Sequence, residues 1–241
     1  MTEEKNIYDE MWNSFSQAMD AKQYQPDPMI NNSSDTRRGI TALSYLRHSS
    51  PLASQIANFQ QEVKALEPEQ YYQPESDLHL TVLSIVTCTE NYTLSCSSAS
   101  DYVKVFKEAL CDAGSFDIHF KGITASPSCI LLQGFMPDDL LSDVREKLRL
   151  AFNNSPLYAS IDSRYKIATA HSTIIRFKDN LNDPRGLFDL NNRYRDYEFG
   201  THTVDRLALV FNNWYQQKEH TRLLAESRLL TTNPNLALLG T

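Results

Sequence analysis

The sequence predicts an α+β fold made of two similar lobes, each built mainly from antiparallel strands with flanking helices. Strand-like and helical segments alternate along the chain, and several strands form hairpin-like pairs, which favours α+β over a doubly wound parallel sheet. The same short pattern, His-x-Thr-apolar, occurs in two predicted strands, starting at His79 and at His171. With 241 residues, 41% of them hydrophobic, the chain is long enough for one substantial core or for two small lobes sharing one.

The first predicted element is an amphipathic helix at about residues 6–22. Its apolar and aromatic side chains recur at close to helical spacing, at Tyr8, Met11, Trp12, Phe15 and Met19. The segment that follows is rich in Pro, Asn and Ser, which is typical of a loop. We therefore expect residues 1–36 to form an N-terminal helix and loop extension, and residues 37–241 to form the bilobal domain.

The remaining elements follow from runs of apolar and β-branched residues and from helical periodicity. Strands are predicted at 38–46, 78–86, 116–123, 129–135, 169–177, 204–214 and 221–230. Helices are predicted at 50–66, 99–112, 137–152 and 183–197. The third of these helices opens with Pro137 and acidic residues, as a helix amino terminus does. The last two strands are expected to form a hairpin.

The charge balance and the missing motifs exclude several classes of function. The chain has 23 Lys and Arg residues against 30 Asp and Glu residues, so it lacks the basic surplus that binds duplex DNA. It contains no GxxxxGK, GxGxxG, GxSxG or HExxH, the motifs of common phosphate, dinucleotide, hydrolase and zinc sites. Binding of a small phosphate ligand is still compatible with this composition, because one pocket needs only a few local donors. No cofactor is predicted.

The cysteines and the amino terminus bear on the location of the protein. The four cysteines show no CxxC spacing, and the first residues, "MTEEKN", lack the basic and apolar regions of a signal peptide. No apolar run is long enough to span a bilayer. We expect reduced thiols in a soluble, cytoplasmic protein that does not bind membranes.

The two repeated motifs indicate a specific chemistry. In a strand, residues i and i+2 project from the same face, so His79 with Thr81, and His171 with Thr173, each place an imidazole beside a hydroxyl. A single strand histidine is more often a hydrogen-bonded core residue, but two strands that repeat the same pair favour a function. Two imidazoles suit metal-independent phosphodiester cleavage, since one accepts a proton from the nucleophile and the other protonates the leaving oxygen. The threonine hydroxyls can donate to the non-bridging oxygens.

On these motifs the sequence resembles the 2H phosphoesterase superfamily, and within it the bacterial 2′-5′ RNA ligase-like branch. The segment "DLHLTVLSI" matches the first motif and "AHSTIIRF" the second, including Arg176 five positions after the histidine. The likeness runs from about Arg38 to Leu230. It implies a bilobal fold with pseudo-twofold symmetry, a cleft between the lobes, and metal-independent action on cyclic phosphates or 2′-5′ linkages of nucleotides and RNA ends.

Arg176 and Tyr72 are two further candidates for substrate binding. Strict strand alternation would place Arg176 opposite His171, so a role at the phosphate requires a β-bulge. Tyr72 and its neighbour Tyr71 precede the first motif and would stack on a base at the edge of the cleft. Packing of these two rings on the rim of the core is the favoured alternative.

The other histidines and the acidic residues receive no function. His202 is expected to be exposed or to cap a strand, with a third catalytic imidazole as the minority alternative. His119 is expected to be half-buried, and His48 and His220 to lie at the surface. Asp77 with His79 and Asp117 with His119 lack the third ligand that a metal site of oxygen and nitrogen donors needs. No metal is therefore predicted.

Two hypotheses for the function remain. The first is a phosphodiesterase that acts on a small nucleotide or a short RNA end, with His79 and His171 as the acid/base pair and Thr81 and Thr173 as phosphate anchors. The second is a nucleotide sensor that uses the same cleft without turnover. The exact substrate, the assignment of acid and base, the oligomeric state and the role of residues 1–36, for which a lid is one candidate, stay open.

Overall fold

The computed structural model describes residues 3–30 and 32–231. Nine strands are β1 (Arg38–Tyr45), β2 (Tyr71–Tyr72), β3 (His79–Thr89), β4 (Phe116–Ser126), β5 (Cys129–Phe135), β6 (Ala170–Arg176), β7 (Glu198–Val204), β8 (Arg206–Asn213) and β9 (Arg222–Arg228) in this part of the chain. Five helices there are α1 (Glu3–Ala21), α2 (Pro51–Leu66), α3 (Cys96–Ala109), α4 (Leu140–Asn153) and α5 (Pro184–Arg193). The helices and strands predicted from the sequence are confirmed, and β2 and β7 are additional.

The boundary predicted between residues 36 and 37 stays a prediction. Residues 1–2, 31 and 232–241, which belong to the two predicted regions, lie outside the described residues.

The strands form two antiparallel sheets, which confirms the α+β fold. The first sheet has the order β3-β1-β8-β9, and the second has the order β2-β6-β5-β4-β7. β8 and β9 form the predicted hairpin. The first motif lies on β3, an edge strand of its sheet. The second motif lies on β6, which is separated from the edge of its sheet only by the short strand β2. β3 and β6 contact each other, so the two sheets meet along the two motif strands.

The two lobes exchange helices. α2 follows β1 of the first sheet but packs on β7 of the second sheet, where the ring of Phe59 lies 6.3 Å from that of Phe199. α4 follows β5 of the second sheet but packs on β3 of the first sheet and on α3, where Phe152 contacts Tyr102. The apolar core is therefore continuous through both lobes. This exchange of helices joins the two lobes.

Helix α1 packs firmly on the second sheet, although it precedes the region of the resemblance. Tyr8 and Phe15 are fully buried, and Phe15 stacks on Phe188 of α5 with ring centroids 6.1 Å apart. The hydroxyl of Thr124 on β4 donates to the carbonyl oxygen of Tyr8 at 2.8 Å. The guanidinium of Arg195 lies 4.4 Å from the Trp12 ring centroid. Helix α1 is thus part of the folded body.

Candidate active site

A cleft of about 550 Å³ lies between the two motif strands. Both strands contribute three polar side chains to its wall, namely His79, Thr81 and Ser84 from β3 and His171, Thr173 and Arg176 from β6. Among the described residues that line it, none is Asp or Glu, although the whole chain has a net charge of −7. The structure therefore brings together both predicted histidines, both threonines and the predicted arginine in one site suited to an anion.

Each motif strand changes register just after its threonine. Along β1, Leu43 pairs with Thr81 but Ala42 pairs with Leu83, so one residue of β3 is skipped. Along β5 the partners jump in the same way from Thr173 to Ile175. Such a bulge reverses the alternation of side chains beyond it.

The two bulges explain why residues five positions after each histidine reach the cleft. Ser84 and Arg176 occupy equivalent positions in the two motifs and both line the cleft. The bulge that the role of Arg176 required is thus present on β6. Ser84 was not predicted, but the shared spacing of the two motifs could have identified it.

The hydrogen bond of His79 determines which ring nitrogen is free. Its Nδ1 lies 2.7 Å from the backbone carbonyl oxygen of Asp77. A carbonyl oxygen only accepts, so Nδ1 of a neutral His79 must be the protonated nitrogen. Asp77 itself is held by the Ser76 hydroxyl at 2.6 Å and by the Lys218 amide at 3.2 Å. Neutral His79 therefore has an unprotonated Nε2.

His171 is held in a similar way by a side chain. Its Nδ1 lies 2.9 Å from the hydroxyl oxygen of Thr169, which is buried just before β6. Both residues line the cleft. As in the first lobe, the Nδ1 nitrogen is bound to the protein.

A buried arginine that the sequence analysis missed connects the two motif strands. The guanidinium of Arg145 on α4 donates to the carbonyl oxygens of Val82 at 2.9 Å, Thr81 at 3.3 Å and Thr169 at 2.8 Å. Within the described residues Arg145 forms no ion pair. Its position between Val144 and Leu148 on the buried face of α4, which also carries Arg149, was the available signal. It joins β3 to the start of β6 with one charged group.

Burial and neighbouring cations favour the neutral form of both histidines. Burial, followed by the positive charges of Arg145, of protonated His79 and of Arg176, lowers the pKa of His171 to about 4. Burial also lowers the pKa of His79, an effect that the hydrogen bond to the Asp77 carbonyl opposes. At neutral pH the permanent positive charge beside the imidazoles is that of the arginines.

Arg176 has an unused donor at the site. Its Nε is buried and has no hydrogen-bond partner in the described part of the chain. Its guanidinium carbon lies 5.5 Å from the ring centroid of Tyr215. A buried donor without a partner is unusual in folded proteins, and an oxyanion bound in the cleft would satisfy it.

Comparison with known proteins places this geometry in a family. The family described as "AKAP7 2'5' RNA ligase-like domain" matches residues 43–225. The chain belongs to this family. It is thereby a member of the 2H phosphoesterase superfamily, as the two motifs predicted. No curated protein matches the chain by sequence.

Solved structures share the fold of this AKAP7 2'5' RNA ligase-like domain. TT0787 of Thermus thermophilus is 16% identical with a TM-score of 0.60, covering 81% of this chain and 100% of its own. ATU0111 of Agrobacterium tumefaciens, of unknown function, is 14% identical with a TM-score of 0.55, covering 87% and 98%. E. coli LigT, solved with 3'-AMP, is 11% identical with a TM-score of 0.53, covering 80% and 99%. At these identities the likeness shows the fold.

Tyr72 is the candidate that the structure separates from the cleft of this 2H phosphoesterase domain. Its hydroxyl donates to the carbonyl oxygen of Glu67 at 2.8 Å, and its ring lies 5.7 Å from the Lys64 ammonium. Tyr72 is not among the described residues that line the cleft. Because β2 pairs with the far end of β6, Tyr72 packs on the rim instead of facing the site. The aromatic residues that do line the cleft are Tyr165 and Trp214, which the sequence analysis missed.

The predictions that His202 is exposed or capping and that His119 is half-buried were wrong. His202 is buried on β7, and its Nε2 lies 3.1 Å from the hydroxyl of Ser44 on β1. It joins the two sheets and does not line the cleft in the described structure. His119 is exposed and pairs with Glu198 at 2.8 Å.

The histidines with a strongly lowered pKa predict a loss of stability in mild acid. Burial, reinforced by Arg47, lowers the pKa of His202 to about 4, near the value for His171. The histidine pKa is about 6.5 in the unfolded chain. Between that pH and about pH 4 the unfolded chain binds protons that the folded protein does not, so the free energy of unfolding decreases as the pH is lowered. Each unit of pKa difference costs about 1.4 kcal/mol per histidine.

Urea unfolding measured from pH 7 down to pH 5 tests this expectation. The wild-type protein should lose stability over this range, and His202→Gln should reduce the slope. His119→Gln, at an exposed histidine, is the control and should leave the slope unchanged. An equal slope in wild type and His202→Gln would contradict a neutral, buried His202.

Residues 3–30 and 32–231 provide neither a metal site nor a membrane-spanning helix. No group of three or more His, Cys, Asp or Glu residues is placed there to hold a metal ion. No helix in that part of the chain is long and apolar enough to cross a membrane.

Proposed function

We propose that this protein is a metal-independent phosphodiesterase that cleaves a cyclic or 2′-5′ phosphodiester of a nucleotide or RNA end. The observation behind this proposal is the convergence of His79, Thr81, His171, Thr173 and Arg176, from both lobes, in one cleft that no described carboxylate lines. Two proton carriers and three donors around one anion supply the groups that phosphodiester hydrolysis needs.

Each group has a role in the proposed hydrolysis of a 2′,3′-cyclic phosphate. The oxygen of a water molecule forms a bond to phosphorus while the proton of that water passes to Nε2 of one histidine. The bond between phosphorus and one ribose oxygen breaks, and that oxygen takes a proton from Nε2 of the other, protonated histidine. Thr81, Thr173 and Arg176 donate to the non-bridging oxygens as negative charge shifts toward them.

We assign the base to His171 and the acid to His79. Arg145 and Arg176 favour the neutral form of His171, which a base requires. The Asp77 carbonyl accepts from Nδ1 of His79 and supports its protonated form. A bound phosphate is negative and raises the pKa of both rings, so His79 gains its proton when the substrate binds.

The proposed substrate class is a small nucleotide or a short RNA end, and not duplex DNA. A volume of about 550 Å³ lies in the range of about 300–1,000 Å³ that is usual for small-ligand sites. Trp214 and Tyr165 in the wall provide aromatic surfaces on which a base can stack. The LigT structures with 3'-AMP and with ATP support nucleotide binding by this fold. The cytoplasm stays the predicted location.

The proposal is tested with purified protein and a panel of 2′,3′-cyclic nucleotides and 2′-5′ linked dinucleotides, with 3′-5′ linked dinucleotides as controls. Chromatography of the products should show cleavage of members of the first two classes and none of the third. A panel left uncleaved, or cleavage of the 3′-5′ controls alone, would contradict the proposed reaction.

A nucleotide sensor is the second candidate, and the low pKa of both histidines favours it. If both rings stay neutral when a ligand binds, the site can still hold an anion through Arg176 and the threonine hydroxyls, but it lacks an acid. Calorimetric titration with the same panel separates the two functions. Tight binding without turnover would identify the sensor, whereas turnover of a bound member identifies the enzyme.

The pH dependence of kcat/KM follows from the two lowered pKa values. Activity should rise with pH as His171 loses its proton near pH 4, and fall as His79 loses its proton below its usual value of about 6.5. The maximum should therefore lie on the acidic side of pH 6.5. Arg176→Gln removes a positive charge that lies near both imidazole rings. The variant should therefore have a lower kcat/KM, with its maximum at a higher pH. A wild-type maximum above pH 7.5 would contradict these shifts.

A further inference from the structure

One short segment at the end of β8 contributes three side chains to the cleft, those of Asn212, Trp214 and Gln216. Adjacent residues of a strand point to opposite faces, and Asn213 accordingly bonds elsewhere. Its side-chain amide donates to the side-chain oxygen of Gln217 at 2.7 Å. The segment therefore offers two amides and an indole ring to a ligand in the cleft.

The side-chain amide of Asn212 has a fixed orientation. Its Nδ2 lies 2.7 Å from the backbone carbonyl oxygen of Asn213, and since a carbonyl oxygen only accepts, the atom that faces it must be the nitrogen. The same Nδ2 lies 3.6 Å from Sγ of Cys88 on β3. Oδ1 is therefore the free end of this amide, and it can only accept a hydrogen bond.

Gly39 on β1 makes room for the contact between Asn212 and Cys88. Gly39 pairs with Asn212, so it lies between β8 and β3 in the sheet. A Cβ atom at this position would lie 3.0 Å from Sγ of Cys88 and would overlap the carbonyl oxygen of Val86. The absence of a side chain at this position keeps the wall of the cleft open beside Asn212.

Two hydrogen-bond acceptors of this segment have no partner. Oδ1 of Asn212 and Oε1 of Gln216 are buried and form no hydrogen bond within the described part of the chain. The residues themselves are only 1% and 7% exposed. Buried polar atoms without a partner are unusual in folded proteins. A ligand that carries N–H groups into the cleft would satisfy them.

The register of the sheet indicates which part of a nucleotide Asn212 meets. Thr81, a phosphate anchor, pairs with Leu43 of β1, while Asn212 pairs with Gly39 of the same strand. Four residues of an antiparallel strand span roughly 13 Å. A phosphate held at Thr81 therefore has its own ribose between the two positions, and the base is the part that reaches Asn212.

The indole ring of Trp214, two residues from Asn212, is held by two arginines. The guanidinium carbon of Arg164 lies 4.5 Å from the ring centroid, and that of Arg37 lies 5.9 Å from it. Arg37 in turn donates to both carboxylate oxygens of Asp35, at 2.8 and 2.7 Å. Because these contacts order the ring before a ligand binds, stacking of a base on it costs little freedom.

We propose that Asn212 selects nucleobases with an exocyclic amino group, adenine and cytosine, over their oxo counterparts, hypoxanthine and uracil. The amino group donates to Oδ1 of Asn212. In the oxo bases a carbonyl oxygen takes its place, so two acceptors face each other in a buried site. No bond to a described residue fixes the Gln216 amide, which adapts to the neighbouring ring nitrogen. The inference rests on the proposed function, which places the phosphate at the two motifs.

The test is calorimetric titration of the wild-type protein with the 3′-monophosphates of adenosine, inosine, cytidine and uridine. These compounds contain no phosphodiester, so binding is measured without turnover. Kd should be roughly 10- to 100-fold lower for the adenosine compound than for the inosine compound, and for the cytidine compound than for the uridine compound. This is the factor expected when one buried polar group is left without its partner.

Asn212→Ala removes the acceptor and should abolish both preferences, mainly by weakening the binding of the amino members. Asn213→Ala is the matched control, because its side chain bonds to Gln217 and is not among the described groups that line the cleft. It should retain the wild-type ratios. The 3′-monophosphate of purine riboside has neither the amino nor the oxo group and should bind the wild type with intermediate affinity.

Equal affinities within each pair for the wild type, or preferences that persist in folded Asn212→Ala, would overturn the inference. So would the failure of all four compounds to bind. If Asn212→Ala does not fold, the order adenosine, purine riboside, inosine in the wild type decides the matter. A preference for the amino members in a protein that cleaves no phosphodiester would overturn the proposed reaction alone, and turnover without a preference would overturn the base selection alone.

Discussion

Replacing either His79 or His171 by alanine is expected to lower kcat by roughly 10²- to 10⁴-fold, the contribution typical of one general acid or base. Each ring is the only imidazole that its motif strand contributes to the cleft. The threonines and Arg176 still bind the phosphate in both variants, so KM should change much less than kcat. Steady-state rates on the best member of the substrate panel measure this.

His119→Ala is the matched control, because His119 is exposed on β4 and pairs with Glu198 away from the cleft. Its kcat should equal that of the wild type. A 2′-5′ dinucleotide with sulfur in place of the leaving oxygen separates the two roles, since a thiolate leaves without a proton. It should restore turnover in His79→Ala but not in His171→Ala. A rate within tenfold of wild type in either alanine variant on the natural substrate would contradict the two-histidine mechanism.

Arg145→Met should produce the largest loss of stability, with the free energy of unfolding falling by about 2–4 kcal/mol. The substitution removes the donor of three carbonyl oxygens, two of them in buried hydrogen bonds, and each buried group left without a donor costs about 1–3 kcal/mol. Removing a buried charge offsets part of that cost. Urea unfolding at neutral pH measures the difference.

The same variant should raise the pKa of His171, because Arg145 is its strongest charged neighbour. An NMR titration of the folded variant measures that change. Lys147→Met on the same helix removes only an exposed ion pair with Asp112 and should leave the free energy of unfolding nearly unchanged. A stability loss as small as that of the control would show that Arg145 does not hold the motif strands together.

The parts of the site that were predicted are those set by local geometry. The period of two along a strand placed Thr81 beside His79 and Thr173 beside His171, whatever the rest of the fold. The placement of Arg176 in the cleft depends in addition on the bulge at Ile174, because strand alternation alone would point its side chain away from His171. A bulge depends on pairing with β5, which a single strand sequence does not contain.

The parts that were missed depend on contacts between distant segments. Arg145 reaches the motif strands from a helix, over a sequence separation of 63 residues in the bond to Val82. His202 was misplaced because β7 was not predicted, and its hydrogen-bond partner, Ser44, lies on the other sheet. Tyr72 packs on the rim, the alternative favoured from the sequence, because β2 pairs with the end of β6.

The central claim is that two histidines, one from each lobe, act on one phosphate without a metal ion. The most direct test is hydrolysis of the best substrate in excess EDTA by the wild-type protein and by the double variant His79→Ala, His171→Ala. The account predicts that the wild-type rate is unchanged by EDTA and that the double variant has no measurable turnover. Loss of wild-type activity in EDTA, or turnover that survives in the double variant, would contradict it.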